Sequence, residues 1–201
     1  PNKIAYLAFT NQAADEALSR AVSQLNYNTK DFMNFRTLHS LAYRGLHLKD
    51  ENIMDDNDYR VISNKLQIKL SNPNQSIKTY GVGFPDDIFM QIIDGAKIRG
   101  LTTENFFNDP NTGHLPGGLP KLKYIDEALI KYKRARNKYD MTDMIVDFNK
   151  QHYDLIPNFD VVIIDEAQDL SWLQWKMVER VISNAKRVYI AGDDDQAIYR
   201  W

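Results

Sequence analysis

Cysteine is absent from the 201 residues, which excludes a disulfide framework, thiolate metal sites and a thiol nucleophile. Histidine is scarce: His39, His47, His114 and His152 stand far apart, without the close spacing of a metal-binding pair. No apolar run approaches the roughly 20 residues of a membrane span. No secretory leader is visible either, so an intracellular, cytoplasmic protein without membrane contact is expected. An excess of one sign of charge is missing too: Lys and Arg number 25 against 27 Asp and Glu, a net charge of −2. That excludes a basic blanket over the whole surface and leaves room for a local nucleic-acid groove. The rest is ordinary for a globular chain, with 43% hydrophobic and 26% charged residues. The length fits one domain, or one domain carrying an insertion. There is no initiator Met and the chain opens almost directly into an apolar run, so a portion of a longer protein is expected.

Three apolar runs read as buried strands: Ile4 to Phe9, Val161 to Ile164 and Val188 to Ala191. None alternates apolar with polar, so each is expected to be covered on both faces, the habit of a parallel sheet between helices. Phe32-Met33-Asn34-Phe35 reads as a shorter fourth strand. Helical patterns follow the strands. Ala14, Ala17, Leu18, Ala21, Val22 and Leu25 repeat at helical spacing behind a cap at Thr10 or Asn11. Ser171 with Gln174 forms a capping box, with Trp175, Val178 and Ile182 as the expected apolar face. This alternation argues for a doubly wound α/β sheet.

Residues 48–134 read differently, with helical patterns over 57–70, 86–99 and 121–137 and no strong strand. Asp86 and Asp87 after Pro85 start the second of these helices and Gly100 stops it. Asn105 to Pro120, rich in Asn, Pro and Gly, reads as loop. The expected organisation is an α/β core in two parts, 1–47 and 135–201, interrupted by a helical insertion over 48–134. The stretch from Lys121 to Lys138 carries seven basic residues against Asp126 and Glu127, with Leu122, Ile125, Leu129 and Tyr132 as its buried stripe. It is either a solvated face or a phosphate-contacting one.

In a parallel α/β sheet, ligands bind beyond the carboxyl ends of the strands. Here those ends run into Thr10-Asn11-Gln12, Arg36-Thr37-Leu38-His39-Ser40, Asp165-Glu166-Ala167-Gln168-Asp169 and Gly192-Asp193-Asp194-Asp195-Gln196. Polar and charged residues thus gather at one expected edge. An apolar strand ending in Asp165-Glu166 is how many nucleoside triphosphatases present a Mg²⁺-associated acid and a base for water attack. Its alternative is a turn-capping Asp165 beside a solvated Glu166. The second signal, Gly192 to Trp201, is open between an acidic functional turn and an ordinary helix start with core aromatics.

Five segments occur in order: Phe9-Thr10-Asn11-Gln12-Ala13-Ala14, Thr37-Leu38-His39-Ser40, Tyr139-Asp140-Met141-Thr142-Asp143-Met144, Ile164-Asp165-Glu166-Ala167-Gln168-Asp169 and Gly192-Asp193-Asp194-Asp195-Gln196-Ala197-Ile198-Tyr199-Arg200-Trp201. Together they resemble successive motifs of the UvrD/Rep-like superfamily 1 helicases. The resemblance implies the first RecA-like domain of an ATP-dependent DNA helicase, with ATP and Mg²⁺ as cofactors. It also implies single-stranded DNA and duplex junctions as partners, and a second RecA-like domain elsewhere in the same protein. Roles in DNA repair or replication go with that family. On this likeness Asp165 is the Mg²⁺-associated acid, acting through water. Glu166 is the general base, and Gln196 senses the γ-phosphate. Phe9, Thr10, Asn11, Thr37 and His39 line the DNA track, and Tyr199 and Trp201 stack on bases.

The sequence departs from the family at three places. Arg200 stands where Gly usually separates the aromatics, and Gln12 where Lys is common. No Gly-x-x-x-x-Gly-Lys-[Ser/Thr] phosphate loop occurs, since Gly113 to Gly118 lacks the Lys-Ser/Thr pair. The chain by itself is therefore expected to be inactive. The rival readings are a single-strand-binding or regulatory module that lost catalysis, and the motor part of a helicase–nuclease.

Overall fold

The computed structural model describes residues 3–73, 87–109, 115–152, 155–193 and 195. Gln196, Tyr199 and Trp201, with Arg200, lie outside the described residues. Contacts divide the chain into two compact units, Pro1–His47 with Met144–Trp201, and Leu48–Asp143.

The first unit is built on four parallel strands: β1 (Ile4–Ala8), β2 (Phe35–Thr37), β3 (Val161–Ile164) and β4 (Arg187–Ile190). Their order across the sheet is β2-β1-β3-β4. The helices of this unit start and stop where local chemistry dictates. α1 (Asn11–Leu25) begins behind Thr10, whose hydroxyl accepts from the Ala13 N–H at 3.2 Å. α2 (Leu38–Gly45) begins behind Thr37, whose hydroxyl accepts from Ser40 N–H at 3.2 Å. Each cap satisfies one of the N–H groups a helix start leaves open.

Three expectations about this unit are corrected. The short strand is Phe35–Thr37, and Phe32 instead closes a 3-10 turn over Thr29–Phe32. The strands are not all covered on both faces. Ala5, Leu7, Val162 and Ile164 are buried on one face, while Tyr6 and Ile163 opposite are half-buried. On β4 every residue is exposed, Tyr189 by 56%. A continuous apolar run records that a strand needs cover but not which element supplies it. At this sheet edge no described strand lies beyond β4.

The Asp160–Asp169 region leads through β3 to a 3-10 turn (Ala167–Asp169). Two further helices of the chain are α7 (Met141–Lys150) and α8 (Trp172–Ile182). Ser171 and Gln174 form the expected capping box on α8, through Ser171 N–H to Gln174 Oε1 at 2.9 Å and Gln174 N–H to Ser171 Oγ at 3.3 Å. The buried stripe of α8 is Leu173, Met177, Val178 and Val181, shifted from the expected Trp175, Val178 and Ile182.

The second unit is helical: α3 (Asp56–Leu66), α4 (Ile88–Ile98), α5 (Thr103–Phe107) and α6 (Gly118–Arg136). Asp87 caps α4 by accepting from Phe89 N–H at 2.9 Å. Gly100, at φ 66°, closes the same helix, with Gly100 N–H to Lys97 O and Leu101 N–H to Ala96 O. That left-handed turn is one only glycine adopts freely. The expected loop over Asn105 to Pro120 is also corrected. Asn105 to Phe107 belong to α5, and Pro120 lies in the first turn of α6, where a missing N–H costs nothing. Residues 110–114 are outside the described set.

Leu122, Ile125 and Leu129 of α6 pack into a core with Tyr59, Ile62 and Ile93. The basic residues of α6 are spent largely within the unit. Lys123 meets Glu104 at 2.7 Å, Lys131 meets Glu127 at 3.5 Å, and Arg136 lies over the Tyr132 ring. Lys138 meets Asp58 at 2.8 Å, and the Tyr132 hydroxyl donates to the same carboxylate at 2.7 Å. Burial would raise Asp58, but those two partners, with the Asp55 N–H, outweigh it and hold the carboxyl below its ordinary range. Lys133 is buried against Asp140 and Asp143. This network, with Met54 N–H to Tyr139 O and Tyr139 N–H to Asn52 O, ties residues 137–143 to the helical unit. Among the described residues, no helix is long and apolar enough to cross a membrane.

Candidate functional site

Parallel pairing brings the carboxyl ends of all four strands to one edge. Ala8 pairs with Thr37, Leu7 with Ile164, and Ile164 with Ile190. Phe9 to Asn11, Thr37 to His39, Asp165 to Gln168 and Ala191 to Asp193 therefore leave neighbouring strands at the same end. Phe9 is half-buried, and Thr10 and Asn11 are exposed. Thr37 is buried and engaged as the cap of α2. His39 is partly accessible, and desolvation pushes its imidazole down to about 4, which keeps it neutral at pH 7.

Asp165 ends β3 half-buried, its N–H bonded to Leu7 O at 3.0 Å. Both of its carboxylate oxygens are engaged. Oδ1 accepts from the Glu166 N–H at 3.0 Å, and Oδ2 accepts from the Tyr6 hydroxyl. Burial first, then the hydrogen bond to Asp165 and the nearby carboxylate charges, push the Tyr6 phenol up. Glu166 takes the left-handed backbone conformation, φ 52° and ψ 43°, which is uncommon for a residue with a side chain. It turns the chain sharply out of β3 into the 3-10 turn, whose Ala167 N–H reaches Ala191 O at 3.0 Å.

Gln168 links the two turns. Its Nε2 donates to Glu166 Oε2 at 2.6 Å, and its Oε1 accepts from the Asp193 N–H at 3.1 Å. A Cβ on Gly192 would stand 2.8 Å from Gln168 Oε1 and 3.2 Å from the Cβ and N of Ala167, so the close approach requires glycine. Ala167, Gln168, Trp175, Ile190 and Gly192 line an open cavity of about 440 Å³ beside this bridge. Sequence reasoning gave roles to Asp165 and Glu166 but missed Tyr6 and Gln168. Gln168 lay in a quoted segment, and its amide type was the available signal. Tyr6 had none beyond being a polar-tipped residue in an apolar run.

The donor set fits Mg²⁺ by its chemistry. Carboxylates are hard oxygen ligands, and one or two of them is the usual protein share of a Mg²⁺–phosphate site, water and phosphate filling the rest. A carboxylate has about four acceptor positions, and Asp165 uses two. No larger cluster of His, Asp and Glu suited to an all-protein metal cage occurs among the described residues.

A parallel sheet flanked by helices, with acids beyond its carboxyl ends, defines the first unit as a RecA-like α/β domain. The chain belongs to the UvrD/REP helicase family, matching the model of the UvrD/REP helicase N-terminal domain over residues 1–201. It is 27% identical over 218 residues to DNA helicase II of Escherichia coli (strain K12), covering 100% of this chain and 28% of that protein. It is 30% identical over 216 residues to a probable DNA helicase II homolog of Rickettsia conorii, covering 100% and 31%. It is 24% identical over 224 residues to the ATP-dependent DNA helicase Rep of Buchnera aphidicola, covering 100% and 30%. The chain thus spans about 30% of the length of these relatives.

Proposed function

We propose that this chain is part of the first motor domain of an ATP-dependent helicase that moves on single-stranded DNA and opens duplex junctions. The carrying observation is Asp165-Glu166 at the carboxyl end of β3, with Gln168 tying Glu166 to the turn after β4. The names of the relatives, DNA helicase II and Rep, support DNA as the substrate. The helical insertion, expected over 48–134, runs on this reading over 48–143, the bounds of the helical unit, so that 135–143 belong to it and not to the core.

Mg²⁺, bound with ATP, would neutralise charge on the phosphates. Asp165 would hold it through water. Glu166, whose Oε2 accepts from Gln168 Nε2, takes a proton from the attacking water on a lone pair that this bond leaves open. Gln196, three residues after Asp193 in the sequence, would read the γ-phosphate. The remainder of the phosphate cradle and a transition-state arginine come from other parts of the protein. This chain alone therefore does not turn ATP over.

Phe9, Thr10, Asn11, Thr37 and His39 line the strand track. As an exposed cap, Thr10 uses an acceptor lone pair and leaves its O–H to donate to phosphate, while buried Thr37 contributes by fixing the start of α2. The starts of α1 and α2 add N–H groups and a positive dipole end. A neutral His39 meets a base more readily than a phosphate. Tyr199 and Trp201 stack on bases, worth about 1–3 kcal/mol each and tolerant of any sequence. The test is Glu166→Gln in the full-length protein. DNA-stimulated ATPase should fall by about 10²–10⁴-fold while nucleotide binding stays intact. Near-wild-type turnover rejects the assignment.

A further inference from the structure

We propose that Tyr6 is a positioning residue for Asp165, its hydroxyl fixing the carboxylate that holds Mg²⁺. This rests on the Asp165 role proposed above. The placement follows from strand register. Tyr6 on β1 pairs with Ile163 on β3, and Asp165 lies two residues further along on the same face. A long aromatic side chain reaches such a diagonal neighbour, and the Tyr6 hydroxyl donates to Asp165 Oδ2.

The ring is itself held. It stacks on Phe35 of β2, with centroids 5.3 Å apart and planes 15° from parallel. Phe35 in turn packs edge-on against Phe32 at 5.0 Å. With Glu166 N–H on Oδ1 and Tyr6 on Oδ2, the carboxylate has one donor on each oxygen. Its plane is fixed before any cation arrives. One lone pair on each oxygen remains for water around a cation. A carboxylate ordered in advance loses less freedom on binding; hydrogen bonds behind a direct metal ligand are worth about 10–100-fold in metal affinity, and the lower end is expected behind a carboxylate that acts through water.

The test uses the full-length protein with Mn²⁺ as the spectroscopic probe and ADP as the nucleotide. Mn²⁺ affinity is read by paramagnetic resonance, and Mg²⁺ dependence by DNA-stimulated ATPase. Tyr6→Phe keeps the stack on Phe35 and removes the donor. Mn²⁺ affinity should fall about tenfold, the Mg²⁺ concentration for half-maximal ATPase should rise in parallel, and the melting temperature should stay close to wild type. In an Asp165→Asn background the same change should add nothing, because the coupling runs through that carboxylate. An unchanged Mn²⁺ affinity in Tyr6→Phe, or an equal loss in both backgrounds, overturns the proposal. Should Asp165→Asn itself leave Mn²⁺ affinity and ATPase untouched, the metal role of Asp165 falls and takes this proposal with it, a result distinct from failure at Tyr6 alone. If Tyr6→Phe does not fold, 3-fluorotyrosine at position 6 serves instead. Its fluorine resonance should shift on adding Mg²⁺ and ADP, and a fixed resonance overturns the proposal.

Discussion

Gln168 donates its side-chain amide to Glu166 at 2.6 Å and, through its carbonyl oxygen, accepts the Asp193 N–H at 3.1 Å. One side chain thus joins the turn after β3 to the turn after β4. A change of state at either turn has a direct mechanical route to the other, with two hydrogen bonds in it.

That bridge predicts the effect of Gly192→Ala. The new methyl would stand 2.8 Å from Gln168 Oε1, so Gln168 must swing aside and release Glu166 or Asp193. Misplacing a catalytic group by about an ångström costs on the order of 10²-fold in rate. The full-length Gly192→Ala protein should lose about 10–100-fold in ATPase kcat, and Gln168→Ala should lose a similar amount. Steady-state kinetics with ATP as the varied substrate reads both. Wild-type kcat in either variant means that the bridge is not needed for turnover.

In the helical unit, Lys133 lies 2.7 Å from Asp140 and 2.5 Å from Asp143, while Lys97 lies 3.1 Å and 2.7 Å from the same two carboxylates. Burial opposes the charge on Asp140, but the two lysines and the Asp143 N–H outweigh it and hold that carboxyl well below its usual range. Lys133→Met removes one cation and leaves buried charge behind. It should cost about 3 kcal/mol at pH 7. The stabilisation from Asp140 is present above the unfolded carboxylate value, about 3.9, and is lost as the pH falls toward the lower folded value. The deficit of the variant in urea unfolding should therefore shrink below about pH 4. A deficit independent of pH would point to lost packing instead.

Asp94 carries the opposite sign. Burial, then the Asp140 charge, push it up to about 6, against a hydrogen bond from Thr142 and the Lys97 charge. A carboxyl raised on folding costs nothing below its unfolded value and destabilises increasingly as the pH rises through the folded one. Asp94→Asn should therefore stabilise the protein by up to about 3 kcal/mol at pH 7.5 and by only about 0.5 kcal/mol at pH 4. Denaturant titrations at the two pH values check it, and equal stabilisation at both would contradict the raised value.

Local pattern carried much of this protein without any structure. The caps at Thr10, Ser171 and Asp87, the stop at Gly100 and the apolar strands that end in polar turns are all short-range features. Hydrogen bonds and dihedral preferences within a few residues determine them. The candidate site edge follows as well, because parallel strands deliver their carboxyl ends to one side whatever their order.

What the tertiary structure decided is whatever depends on residues far apart in sequence. The order β2-β1-β3-β4 places β3 between β1 and β4, although about 150 residues separate β1 from β3. The buried stripe of α8 is set by the orientation in which that helix lies on its neighbours, so the apolar period alone named Val178 but also the half-buried Trp175 and Ile182 in place of Leu173, Met177 and Val181. Lys133 reads as one of seven basic residues in its stretch, yet it is a buried partner of Asp140 and Asp143, because packing decides which charges face inward. Tyr6 and Asp165 are 159 positions apart. Only the β1–β3 register puts a phenol beside that carboxylate, and a shift by one residue would turn the ring to the opposite face of the sheet.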